Sequence, residues 1–184
     1  YMHSNLIEIK KWLNKDPNSH NWNTYLKGIL KLEGNTNPSS KDISQRKTMM
    51  RKKITTLKSA NVFKTHPLGK DQSYPLVISY YCIECAADTK KRWRKNMKNI
   101  SNLIKPGGWI ILSALRNSHS YQVGMEKNKE KHFPSASIDE KDMREVFENL
   151  DFDKDSLDIR AVPILEWEEE GFDSIIIAKA QKHE

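Results

Sequence analysis

Glycines at the G-x-G spacing are missing from this chain. It has seven glycines in 184 residues and no G-x-G anywhere, which excludes the glycine-rich loops that cradle phosphates or dinucleotides. No apolar stretch approaches the ~20 residues that a membrane-spanning helix needs, and no secretory leader pattern is present. Cysteine is scarce: only Cys82 and Cys85 occur, too few for a disulfide scaffold, and this points to a reducing, cytoplasmic setting. The six histidines show no ligand-like pairing, and the two cysteines lack the two further ligands that zinc requires, so no metal is expected. Acid is nearly absent from residues 41–70, where nine Lys/Arg face Asp42 alone. Residues 139–184 reverse this, with fifteen Asp/Glu against six Lys/Arg. A basic nucleic-acid-binding module would use Arg46 to Lys58 and Lys90 to Lys98. Solvated helix faces explain the same blocks more simply, so nucleic acid is not the expected partner.

What is there fits one soluble α/β domain, at 37% apolar and 30% charged residues. Pro75 to Leu115 reads as apolar run, polar elbow, amphipathic helix, Lys-Pro-Gly-Gly turn and second apolar run. That order is a βαβ crossover, the unit of parallel sheets. Ligands in such sheets sit beyond the carboxyl ends of the strands. Those ends carry Cys82, Glu84 and Cys85, then Ser113 to Asn117.

Elsewhere, Ser4 to Asn14 reads as a helix with Ser4 as its cap and Leu6, Ile9, Trp12 and Leu13 on one side. Tyr25 to Leu32 reads as a strand. Ile43, Met50, Ile54 and Leu57 mark the stripe of a basic helix. Lys58 to Asp71 is irregular, and Met125 to His132 is a polar, mobile insertion. Ser137 and Glu140 have capping-box spacing, opening a helix with Met143, Val146, Phe147 and Leu150 on its apolar face. Leu157 to Ile164 and Ser174 to Ala180 read as an antiparallel strand pair. The chain opens on a helix and on Tyr1, so the first strand and glycine-rich loop of a doubly wound sheet are expected to lie upstream.

These pieces together resemble the small-molecule N-methyltransferases that include the nicotinamide, phenylethanolamine and indolethylamine enzymes. The matching stretches are Tyr1 to Trp22, Leu32-Glu33-Gly34-Asn35, Pro67-Leu68-Gly69, Cys82-Ile83-Glu84-Cys85-Ala86, and Leu103-Ile104-Lys105-Pro106-Gly107-Gly108. Ala114-Leu115 with Ser118, Tyr121 and Gly124 follows, then Ala180-Gln181-Lys182. Lys-Pro-Gly-Gly alone is shared by many methyltransferases; the ordered set is specific. The resemblance implies a class I, Rossmann-like methyltransferase fold, with a mostly parallel sheet and a C-terminal antiparallel pair. It implies residues 1–184 as one N-terminally truncated domain and S-adenosylmethionine as donor. The fragment is then expected to be weakly active or inactive, and the full-length protein a monomer that touches no membrane. A catalytically inactive, methyltransferase-like binding partner is the other reading.

The same resemblance assigns roles. Tyr1, Asn5, Asn61, Val62, Tyr80 and Cys82 fall where the family touches the cofactor; Asn61 stands in place of an acid, without its charge. Glu84, Ser113, Ser118, Tyr121, Ser135 and Glu170 fall on the substrate side. Glu84 is the expected catalytic residue, because a carboxylate at a strand mouth binds an amine and takes its proton. The plainer role for Glu84 is a helix-capping acid beside Asp88. Ser113 replaces an Asp of nicotinamide-type members, which makes nicotinamide a less suitable acceptor than other small amines or ring nitrogens. Cys82 and Cys85 also spell C-x-x-C between strand and helix. A thioredoxin-like role is set aside, since no Gly-Pro separates them and Glu84 opposes thiolate formation.

Overall fold

The computed structural model describes residues 2–123, 131–164, 172 and 174–184. It divides into two compact units at residue 59.

The first unit is helical. Helix α1 spans Met2–Leu13, α2 Asn23–Leu32 and α3 Ser40–Lys53. The strand expected over Tyr25 to Leu32 is therefore a helix. Leu26 and Leu30, four residues apart, are its buried side chains, a helical spacing that outweighs the partial alternation around them. Ser4 lies inside α1 instead of capping it, and α3 ends before Ile54 and Leu57. Ser39 opens α3 through a reciprocal capping box with Asp42. Arg51 ties α3 to α1: its guanidinium stands 4.4 Å over the Trp12 ring, and its Nε donates to the Trp12 carbonyl at 2.9 Å. Arg46 on α3 grips the Glu33 carboxylate with both terminal nitrogens.

The second unit is α/β. Strand β1 (Tyr74–Tyr80), helix α4 (Lys90–Ser101) and strand β2 (Ile104–Leu115) form the expected crossover, with β1 and β2 parallel. A hairpin of β3 (Ser120–Val123) and β4 (Lys131–Pro134) follows. The insertion expected over Met125 to His132 thus ends in strand at Lys131 and His132, and its other residues lie outside those described. Helix α5 (Glu140–Glu148), β5 (Asp158–Pro163) and β6 (Ser174–Gln181) complete the unit. The sheet order is β1-β2-β6-β5, with β6 antiparallel to both neighbours.

Asp139, not Ser137, caps α5, and Asp142 completes the box in place of Glu140. Two aspartates satisfy the same orphan N–H groups and favour the positive end of the helix. Asp142 also receives Lys90 and Arg94 from α4, which ties the two helices together. The core lies between these helices and one sheet face. Trp93, Met97 and Ile100 of α4 and Met143, Val146 and Phe147 of α5 pack with Ile110, Leu112, Ala114, Ile176, Ala178 and Ala180. Even-numbered positions of β2 and β6 thereby face the helices, so Ser113 and Ile177 face the other way.

Candidate functional site

Strand β2 runs past the end of β1. The last paired residues are Tyr80 and Ser113, yet β2 continues to Leu115. Tyr81 turns the chain away with φ of +48°, a left-handed backbone that is costly for a bulky side chain. Its N–H still donates to the Ser113 carbonyl at 3.0 Å. Cys82 to Ala86 then form a tight turn, with Ala86 N–H donating to the Cys82 carbonyl at 3.1 Å. This turn folds Glu84 inward, leaving it 1% exposed. Its Oε1 accepts the N–H of Leu115 at 3.2 Å. The carboxyl thus takes the ladder position that a longer β1 would have supplied. It caps the end of a strand, and α4 is capped by Thr89 instead.

Burial pushes the Glu84 carboxyl up to about 7, against the pull of backbone N–H groups at Glu84, Leu115 and Ile83. A group poised there exchanges a proton near neutral pH. The Cys85 thiol donates to Glu84 Oε1 at 3.9 Å and is itself pushed up to about 12 by burial, then by the neighbouring charges. Burial and Glu84 raise Cys82 as well.

Two further backbone contacts close the site. Ala136 N–H donates to the Glu84 carbonyl at 3.3 Å, and Ser135 N–H to the His119 carbonyl at 2.9 Å. These bring Ser135 beside the Glu84 turn. The Ser113 and Ser135 hydroxyls are buried with no hydrogen-bond partner among the described residues. Each still lies close enough to a neighbour, Tyr81 and Cys85 respectively, to ease its ionisation. Orphaned hydroxyls beside a buried carboxyl leave hydrogen-bonding capacity for a small polar ligand.

The remaining expected residues divide. Ser118 is fully buried and already donates to the Ser120 carbonyl at 2.6 Å. Tyr121 stacks on Phe133 across the hairpin at 5.5 Å between ring centroids. Tyr80 and Cys82 are exposed at the carboxyl end of β1. Asn61 and Val62 are not brought to Glu84. Asn99 and Asn102, at the far end of α4, hold the Val62 and Thr65 carbonyls at 2.8 and 2.9 Å, toward the amino ends of the strands. Asn61 Oδ1 accepts the Phe63 N–H at 3.0 Å. Asn5 is exposed on α1, in the other unit. Tyr1 and Glu170 lie outside the described residues. Tyr81 and the Cys85 contact were missed from sequence; the only signal was the second Tyr, which ends the alternation of β1.

Residues 1–179 match the model of the NNMT/PNMT/TEMT family. Indolethylamine N-methyltransferase of Mus musculus is 32% identical over 131 residues, covering 69% of this chain and 47% of that protein. Nicotinamide N-methyltransferase of Homo sapiens is 28% identical over 130 residues, with the same coverages of 69% and 47%. The chain spans about half the length of the curated relatives it matches. Among solved structures, a DhpI–SAH complex superposes with a TM-score of 0.50 at 10% identity, over 77% of this chain and 62% of that one.

Proposed function

This chain belongs to the NNMT/PNMT/TEMT family and has the Rossmann-like fold of class I methyltransferases; from that premise we propose that it serves an S-adenosylmethionine-dependent N-methyltransferase. The acceptor is a small amine or ring nitrogen, and residues 1–184 act as one methyltransferase domain in the cytoplasm. The observation that carries the reading is Glu84, a buried carboxyl poised near neutrality at the mouth of a parallel strand.

The residues at that mouth suit the cofactor. Tyr80 and Cys82 are exposed there, and Ser113 on the face of Tyr80 has an unspent hydroxyl. In this reading Tyr80 and Cys82 hold the cofactor. When bound, S-adenosylmethionine supplies a methyl group on a sulfonium, which is already an electrophile with its own leaving group. The protein's task is to align the acceptor nitrogen and exclude water. Glu84 attracts the amine and receives its proton, directly or through water. Ser113 and Ser135 orient the acceptor through their hydroxyls, and Ser118, Tyr121 and Glu170 are assigned to the acceptor on the family pattern alone.

Isothermal titration with S-adenosylhomocysteine tests the donor site, and methyl transfer to a panel of amines tests the acceptor. Saturable binding and an amine-dependent product are expected. Removing the Glu84 charge, as in Glu84→Gln, should lower kcat/KM about 100-fold, the scale of a lost acid–base group. Undiminished turnover in that variant would take Glu84 out of the site.

A further inference from the structure

Cys82 lines the proposed cofactor side, but neither Cys82 nor Cys85 supplies a group to the transfer step itself, and one backbone turn holds the two cysteines three residues apart. We propose that Cys82 and Cys85 form an intramolecular disulfide by exchange with a low-molecular-weight disulfide such as oxidised glutathione, making the Glu84 turn a redox-modified element. Both cysteines are free thiols. The Ala86 to Cys82 backbone hydrogen bond, 3.1 Å, closes one turn around them. Residues three apart in such a turn have Cα atoms within about 7 Å, inside or close to the span a disulfide bridges. Their environments divide the work. Cys82 is exposed, open to an incoming disulfide, while Cys85 is half-buried against Glu84 Oε1, 3.9 Å away.

The step balances. Cys82 loses its proton to solvent and attacks one sulfur of the oxidised glutathione, releasing one glutathione thiolate. Cys85, deprotonated in turn, attacks the Cys82 sulfur of the mixed disulfide and releases the second. Two protein thiols are oxidised and one disulfide reagent is reduced to two thiols. The raised thiol pKa values distinguish this pair from a thioredoxin-like catalyst. Such catalysts are oxidising because a low thiol pKa stabilises their reduced form. Here the thiolates are disfavoured, so the disulfide is slow to form at neutral pH and stable once formed. Closing it also removes the Cys85 hydrogen bond to Glu84. That last consequence matters for catalysis only if the methyltransferase reading holds; the chemistry at sulfur does not depend on it.

The test equilibrates the chain with oxidised glutathione across pH 7 to 9, quenches with acid and reads intact mass after alkylation. The expected product has lost two hydrogens and takes up no alkylating agent, and it forms faster as pH rises. Cys85→Ser should instead stop at a glutathione adduct on Cys82. A wild-type chain that keeps its glutathione adduct, links to a second chain, or stays fully alkylatable would overturn the proposal. Titration with S-adenosylhomocysteine of the reduced chain is scored separately, so loss of donor binding leaves the sulfur result standing.

Discussion

Glu84 is the residue at which stability and chemistry pull apart. In the folded chain its carboxyl holds a proton up to about 7, against an ordinary value of 4.5. Between those values the folded state binds more protons than the unfolded one, so stability falls as pH rises through the window and stays lower above it. With the side chain almost fully buried, the separation corresponds to about 3 kcal/mol. Glu84→Gln retains an oxygen to accept the Leu115 N–H and cannot ionise. The variant should match the wild type near pH 4 and exceed its melting temperature by roughly 5–10 °C near pH 8. Thermal melts at both pH values decide it, and parallel shifts at the two would contradict the burial argument. The position of Glu84 was legible from sequence because an acid directly follows an apolar run. Its inward turn was not, because that depends on β2 overrunning β1 by two residues, a property of register.

At the scale of elements, legibility followed the strength of the local pattern. The β1–α4–β2 crossover was readable because a polar elbow and an amphipathic helix separate two apolar runs; Lys-Pro-Gly-Gly, expected as a turn, lies instead within β2, where the register with β1 shifts. Helix α2 was misread because Trp22, Tyr25 and Ile29 add apolar side chains beside the buried Leu26 and Leu30, which blurs the period. The α5 cap was misplaced by two residues because Ser137 and Asp139 both satisfy a capping pattern, and the pairing of Asp139 with Asp142 decided the matter. The Lys-Pro-Gly-Gly segment carries a sharper consequence. Gly107 sits at φ of +68°, whereas Gly108 is confined by space. A Cβ there would stand 2.9 Å from the Lys105 carbonyl oxygen and 3.1 Å from that of Pro75. Ile104 Cγ2 lies at 3.0 Å as well, but the other two obstacles are backbone, and one belongs to the segment that pairs with β2. Gly108→Ala should therefore force β1 and β2 apart and cost about 1–3 kcal/mol, the usual range for overpacking. Urea denaturation would show this as a lower midpoint, and an unchanged midpoint would mean that the strands yield freely.

Over the whole molecule, the sheet is unevenly covered. Parallel strands are ordinarily buried on both faces. Here α4 and α5 cover one, while on the other Leu76, Ile78 and Tyr80 of β1 remain 47%, 53% and 58% exposed, with Ile177 and Val162 on the neighbouring strands also open. Strand β1 is also an edge of the described sheet, and its sequence YPLVISY contains no charge. An exposed, uncharged, apolar edge is a template for pairing with another chain. Pro75 blunts only its first residues, since a missing N–H protects the edge locally. Sedimentation velocity should accordingly show concentration-dependent association of this chain. Ile78→Lys, which places a charge mid-strand on the open face, should shift the distribution toward monomer while leaving the melting temperature within a few degrees, as expected for an exposed position. Concentration-independent monomer in the wild type would show that this face is covered in solution, and association persisting in the variant would move the contact away from β1.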